Sequence, residues 1–439
     1  MKNRPEISQK PKQLSKVLIS AIIIAALTGV VYFINSSKND IVILNYYSQP
    51  DKNGVLKEII LDFEELNPGI RINLIELPDN TDDKLIMIKN SFQSETAMAD
   101  VFDSDSVWPA IFASAGWVEP LGEHLDEYEK LAFLSSSLNS NYFENELWGI
   151  PYRIDSGMLY YRNDLLEKYN KRVPLTWEEL AETSRFILQR ERGQLKGFTS
   201  SWAEFEGLTA NAVEYIWAFG GNILSEDSTR SVLESKESVD GISFMRDMIY
   251  KYKITPENIT DFTSKESREA FMAGDVIFMR DWSSGWRLIQ DTEISKVSGK
   301  VKISELPIGS ITGKNYPVLG GWQIMVSSFS DHKKEAVMFA KYRAGIESQK
   351  KGAIELSYLP SLRALYNDDE INSAMPFLKY MYPSFKNSNP RPVSPYYADI
   401  SKIIQAEVHR ALLDQQTPFQ TIKDIDYQIK LILETRPAY

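Results

Sequence analysis

The chain has 439 residues, a net charge of −11 and no cysteine. That length is enough for two or three domains, and the acidic balance excludes a nucleic-acid binder, which needs a basic face. The missing cysteine excludes disulfides, thiol catalysis and cysteine metal sites, and His124, His332 and His409 lie too far apart to share ligand spacing.

The N-terminus sets the compartment. Val17 to Ile34 is an apolar run, with no charge between Lys16 and Lys38. Lys2, Arg4, Lys10, Lys12 and Lys16 precede it, and Glu6 is the one acid among them. A charge-free stretch of about 20 residues can cross a bilayer as a helix. Basic residues ahead of it hold the N-terminus in the cytoplasm. The expectation is a cytoplasmic basic tail (1–16), a transmembrane anchor (17–37) and an extracytoplasmic remainder tethered to the cytoplasmic membrane. A cleaved signal peptide is the alternative, but the run is longer than a usual apolar region of that kind. No good small-x-small cleavage site follows it.

Ile41 to Tyr47 reads as a strand. Val55, Ile59, Ile60, Phe63 and Leu66 then fall on one helical face, and Asn67-Pro68-Gly69 stops the helix. Ile70 to Leu77 alternates as a strand does. Strand, helix and strand at this spacing predict a βαβ unit with parallel strands and a right-handed crossover. A helix over about residues 83–94, a short strand in 99–105 and a short helix ending at Gly116 follow. Residues 145–169 carry another strand and helix. Thr176 and Glu179 are spaced as a capping box for the helix after them. Further helices are expected in 207–224, 238–252 and 333–344, strands in 276–282 and 316–326, and a helical tail over 398–434. This alternation is an α/β pattern. It is too long for one core, so two lobes are expected, with the ligand between them or at the ends of strands.

Seven stretches in order carry a resemblance: "ADVFDSDSVWPAIFASAGWVEPL", "LWGIPYRIDSGMLYYRNDLLEKY", "FEGLTANAVEYIWAFGGNI", "AFMAGDVIFMRDW", "YPVLGGWQIMV", "SYLPSLRALYND" and "NPRPVSPYYADIS". Together they resemble the extracytoplasmic solute-binding proteins (family 1) of ABC sugar importers, in the branch for maltose, trehalose and related oligosaccharides. The resemblance covers nearly all of 41–439. It implies a type II, hinge-bending fold of the periplasmic binding proteins. Lobe 1 would take 41–152 plus 317–356, and lobe 2 would take 153–316 plus 357–439. It further implies a monomer without enzymatic activity or cofactor, which binds a di- or oligosaccharide in the cleft and delivers it to the permease subunits of an ABC transporter.

A sugar offers hydroxyls and flat C–H faces. Carboxylates and Arg take the hydroxyls, and Trp and Tyr stack on the faces. Asp105 matches the family's binding acid, with a helix N-cap as its bland reading and Asp103 as a rival. Asp155 matches at the cleft wall, against a salt bridge with Arg153 or a turn cap. Trp282 and Trp322 match at strand ends, against core plugs. Gly320 and Gly321 offer backbone N–H groups beside Trp322. Arg391, flanked by prolines, matches against a solvated surface charge. Arg363 is a weaker candidate. Tyr47 and Gln49 end the first strand, in a loop with no acid before Asp51, so Gln49 is the substitute there. Glu206 is a cleft candidate whose bland reading is an acid near a helix dipole.

Two rival functions remain at this point. Asp105 and Asp155 could be the carboxylate pair of a glycoside hydrolase, although no hydrolase, phosphate-loop or G-x-S-x-G pattern occurs. A sugar-sensing module signalling to a membrane partner would have the same sequence features.

Overall fold

The computed structural model describes residues 41–94, 99–191, 193, 195–309 and 316–435. The basic tail and anchor expected over 1–37 lie outside these residues. Among the described residues no helix is long and apolar enough to cross a membrane.

In chain order the elements that position the site are β1 (Val42–Ser48), α1 (Val55–Leu66), β2 (Ile70–Glu76), α2 (Thr81–Ser94), β3 (Val101–Asp105), α3 (Pro109–Ser114), β4 (Ile150–Ser156) and β5 (Met158–Arg162). Then come α4 (Trp177–Leu188), β6 (Lys196–Thr199), α5 (Glu206–Ala218), α6 (Lys236–Tyr250), α7 (Ser264–Met272), β7 (Val276–Asp281), β8 (Val301–Ser304) and β9 (Val318–Val326). The chain continues through α8 (Lys333–Arg343), α9 (Leu378–Lys386), β10 (Asn389–Pro390), α10 (Tyr397–Leu412) and α11 (Pro418–Thr435).

Two sheets result. The six-stranded sheet runs β10-β9-β3-β1-β2, with β4 also pairing β9. β1 is parallel to β2 and β3, as the βαβ reading requires. The four-stranded sheet runs β8-β5-β7-β6. It is mainly antiparallel, since β5 pairs both β8 and β7 that way. Residues 145–169 hold two strands of different sheets, β4 and β5, broken at Gly157. A Cβ at Gly157 would stand 2.2 Å from Glu214 Oε1, so any other residue at this passage between sheets must displace that carboxylate.

Strand alternation divides the core. Met158 and Tyr160 of β5 face the cluster that holds the first sheet, while Leu159 and Tyr161 face the second cluster. Helices α10 and α11 close that second cluster through Ile404, Val408, Ile425 and Ile429. Residues 357–386 pack in the first cluster through Leu362, Tyr366, Leu378 and Phe385, a cluster that also holds Val276, Met279 and Ile303 of the second sheet, and Tyr380 Oη donates to Ile303 O at 3.0 Å. Their backbone also joins the first sheet's side, with Ile154 N donating to Leu359 O at 2.9 Å and Leu134 N to Ser361 O at 2.8 Å.

Two local expectations are corrected. On α1, Leu66 is exposed and Leu56 is buried in its place. The helix begins at Val55, so Leu56 sits one turn before Ile60 on the covered face, and Leu66 ends the last turn beyond the sheet. At α4, Thr176 Oγ1 accepts from Glu179 N at 3.1 Å, but Glu179 Oε2 takes the N–H of Leu175 at 2.9 Å rather than that of Thr176. The box is therefore displaced by one residue.

The α1 correction is measurable by urea unfolding. Leu56→Ala should cost about 2–5 kcal/mol as a buried truncation, and Leu66→Ala should stay within about 0.5 kcal/mol. Equal costs would contradict the observed face.

Candidate functional site

A cleft of about 720 Å³ opens between the two sheets. Eight of the ten expected site residues line it: Gln49, Asp105, Asp155, Glu206, Trp282, Gly321, Trp322 and Arg391. Tyr47 and Arg363 do not. Tyr47 belongs to the first core cluster. Arg363 Nε donates to Phe133 O at 2.8 Å and holds two segments of that lobe together.

Strand β3 is buried along its whole length and presents Asp103 and Asp105 two residues apart on one face. Asp103 is committed to structure: it accepts from Tyr46 Oη at 2.7 Å and from Gln49 N at 3.0 Å. Asp105, at the strand end, reaches the cleft. It does not cap α3, whose N-cap is Trp108. Its Oδ1 accepts from Arg391 Nη2 at 3.0 Å and from Val107 N at 3.3 Å.

Arg391 is buried, not a surface charge. It follows β10 and places its guanidinium between Asp105 and Glu206, bonding Glu206 through Nη1. Glu206 opens α5 and also accepts from Tyr397 Oη and Ser401 Oγ, each at 2.5 Å. Burial pushes the Glu206 carboxyl above its ordinary range, and the Arg391 charge opposes that push.

Asp155 lies on β4 with its partner Arg153 two residues earlier. The salt bridge expected as its bland role is present, Arg153 Nη1 to Asp155 Oδ2 at 3.3 Å. Ser283 Oγ also donates to Asp155 at 3.0 Å. Burial raises the Asp155 pKa, and Arg153 and Ser283 lower it. Gln49, in the orientation that satisfies its neighbours, accepts from Arg153 Nη2 at 3.1 Å, Trp322 Nε1 at 3.3 Å and Tyr152 Oη at 3.3 Å. Asp51, the first acid of that loop, is spent on α1, accepting from Leu56 N and Lys57 N at 3.0 and 2.9 Å.

The aromatic walls come from both sheets. Trp322 on β9 stands opposite Asp105 and Arg153 in register. It packs edge-on against Trp108 at 5.6 Å, so it serves the core and the cleft together. Gly321 before it has φ 138°, and a Cβ there would come within 2.6 Å of Arg153 O. Trp282 follows β7, and its ring is 3.2 Å from where a Gly320 Cβ would lie. The two glycines let β9 pass close to both walls.

Among the lining residues that escaped the sequence reading are Lys84, Phe205 and Arg268. Arg268 on α7 forms an ion pair with Asp281 and donates to Ser284 Oγ at 3.2 Å. Phe205 precedes α5 and covers Gly207. Lys84 on α2 is 4% exposed, donates to Asp79 O at 2.9 Å and lies 5.1 Å from the Trp322 ring centre. Its signal was visible, since Lys84, Ile88 and Ser91 repeat at helical spacing on the buried face. Among the described residues no group of three or more His, Asp or Glu could hold a metal ion. What the cleft does offer is flat aromatic faces beside fixed charged groups, which fits a ligand carrying both apolar faces and many hydroxyls.

Burial, aided by Arg153, lowers the Lys84 amine to about 8. The folded pKa lies below the unfolded one. The stability tied to the neutral amine is therefore complete only above the unfolded value of about 10.4, and is lost as pH falls through the folded value. Lys84→Met should raise the thermal midpoint over the parent at pH 7. The gap should narrow as pH rises from 8 toward 10, and a gap independent of pH would contradict the assignment.

Residues 48–350 match the family described as bacterial extracellular solute-binding protein. A probable ABC transporter-binding protein of Deinococcus radiodurans is 29% identical over 371 residues, covering 83% of this chain and 87% of its own. The maltotriose-binding protein of Pyrococcus abyssi is 22% identical over 342 residues, covering 76% of this chain and 69% of its own. The solved structure of maltose-bound T. maritima MalE3 is similar at a TM-score of 0.84 and 34% identity, covering 89% of this chain and 100% of its own. With that two-lobed α/β fold and that family match, the chain belongs to the bacterial extracellular solute-binding protein family.

Proposed function

We propose that this protein captures a di- or oligosaccharide between its lobes outside the cytoplasm and hands it to an ABC permease. The observation that carries the reading is the cleft itself. Trp282 and Trp322 stand beside Asp105, Asp155, Arg153 and Arg391, so stacking surfaces and charged hydrogen-bonding groups face one space. Its volume falls within the roughly 300–1,000 Å³ of small-molecule sites. The similar MalE3 holds maltose, and the Pyrococcus relative is named for maltotriose. The Deinococcus relative is named for an ABC transporter.

Capture needs no bond chemistry. Asp105 and Asp155 hold arginines in place and accept hydrogen bonds from the sugar hydroxyls. A ligand touching both lobes binds the closed form better than the open form, and that difference drives closure. Asp105, Asp155, Trp322, Gly321 and Gln49 would act from the first sheet, and Glu206 and Trp282 from the second lobe. Arg391 would act from between them.

The test is a panel of maltose, maltotriose, trehalose and mannitol. At least one sugar should raise the thermal midpoint and change intrinsic Trp fluorescence, with no new reducing ends on incubation. Trp282→Ala should weaken that binding by at least about 2 kcal/mol, as for a central aromatic contact, while the protein still melts cooperatively. A panel with no response would sink the sugar reading, and reducing-end release would sink the binding-protein reading.

The tether is a separate part of the proposal and rests on the uncharged run from Val17 to Ile34 and the basic residues before it. N-terminal sequencing of the membrane fraction should find the chain uncut ahead of residue 17. A mature start near 35–40 would replace the anchor with a cleaved signal.

A further inference from the structure

The most deeply buried ion pair among the described residues lies behind Trp282. Glu214 and Arg280 are each 2% exposed. Arg280 Nε and Nη2 donate to the two Glu214 oxygens at 2.8 and 2.5 Å. This two-point geometry fixes both side chains.

The pair touches two of the three places where the chain passes between the lobes. Glu214 Oε1 accepts the N–H of Val318 at 3.1 Å, where the chain re-enters the first sheet as β9. Gly157, between β4 and β5, leaves no room for a Cβ against Glu214 Oε1 or, at 2.8 Å, against Arg280 Nη2. The third passage, after β10, starts at Arg391, which Glu206 holds. Glu206 and Glu214 stand on one helix, α5, about 12 Å apart along its axis. Toward the cleft, the Arg280 guanidinium lies 3.9 Å from the Trp282 ring centre.

We propose that the Glu214–Arg280 pair is a hinge anchor, a positioning element that ties the angle between the lobes to occupation of the cleft at Trp282. A buried charge cannot leave its partner without a large desolvation cost. The second lobe therefore keeps hold of Val318 N–H, and β9 turns about that bond rather than sliding past it. A ligand stacked on Trp282 presses the ring toward Arg280 and so toward the same anchor. This last step rests on the sugar reading above, and the anchor does not.

The test uses two double variants of the full chain. Glu214→Leu with Arg280→Met removes both charges and the acceptor, leaving no orphan charge in the core. Glu214→Gln with Arg280→Met keeps an amide oxygen for Val318 N–H. The chain has no cysteine, so spin labels at Lys57→Cys and Glu237→Cys, exposed positions on α1 and α6, read the distance between lobes alone. In ligand-free protein the Leu/Met variant should broaden that distance distribution, and the Gln/Met variant should keep it narrow. Maltose affinity should fall at least tenfold in the Leu/Met variant and less in the Gln/Met variant.

A Leu/Met variant with the parental distribution and affinity would overturn the proposal and leave the pair a core support only. Should that variant fail to fold, Gly157→Ala decides, because it keeps both charges and drives a methyl group against them. Broadening supports the anchor, and an unchanged distribution overturns it. If maltose fails to bind the parent chain, that result counts against the sugar reading, and the ligand-free distances still decide the anchor.

Discussion

A single guanidinium sets the geometry of the molecule. Arg391 is buried between Asp105, at the end of a strand in the first sheet, and Glu206, at the start of the second lobe's helix α5. Removing such a charge from water costs several kcal/mol unless fixed partners replace the solvent. The end of β3, the start of α5 and the loop after β10 must therefore converge on one point. The rest of the fold supplies the means. β3 is buried throughout, and α5 is buried on nearly every side. Tyr397 and Ser401 of α10 take up the remaining Glu206 acceptors.

The first lobe repeats the logic with a second arginine. Arg153 is held by Asp155, faces Tyr358 at 3.8 Å and donates to Gln49. Polar groups in a low-dielectric cleft are useful to a ligand only if they are already aimed, since reorienting them would cost part of the binding energy. Both arginines are aimed by carboxylates. This explains why those acids sit at strand ends: a strand fixes its last side chain, and a loop would leave it to wander.

The fold was legible where a period could be read. The βαβ start, the helix after Thr176 and the helical tail all have the spacing of their elements. The break at Gly157 has no period of its own, since two consecutive strands look alike whether they share a sheet or not; the resemblance put the passage between lobes a few residues earlier, at 152/153. Burial on both faces hid a second distinction. Tyr46 and Tyr47 are both buried, so alternation along β1 cannot say which side meets a ligand, and Tyr47 packs in the core cluster rather than along the cleft. Asp105, Asp155 and Trp282 line the cleft from strand ends, a local property, whereas Trp322 reaches it from the middle of β9, behind Gly320 and Gly321. Arg391 matched by pattern, but its burial depends on Asp105 and Glu206, which are 286 and 185 residues away. Lys84 carried a local signal that its charge disguised.

The strand pairing also says which groups travel together. β4 and β9 form one antiparallel ladder from Leu319 opposite Ser156 to Ile324 opposite Ile150. Two of the passages between sheets thus lie on the first sheet as a single unit. The ladder ends at Gly157, where β5 leaves for the other sheet. At this end side chains stand in for ladder bonds: Ser156 Oγ meets Ser388 Oγ at 2.8 Å, and Glu214 takes Val318 N–H. Side-chain bonds keep buried polar groups satisfied while permitting rotation that a continuous ladder would forbid. Asp155, Gly321 and Trp322 are consequently tied to β3 and Asp105 through one sheet, whereas Trp282, Arg268 and Glu206 stand on or beside elements of the other lobe. Asp155 already reaches across to Ser283, so the acid that is the last but one residue of β4 is one of the points where the two halves meet.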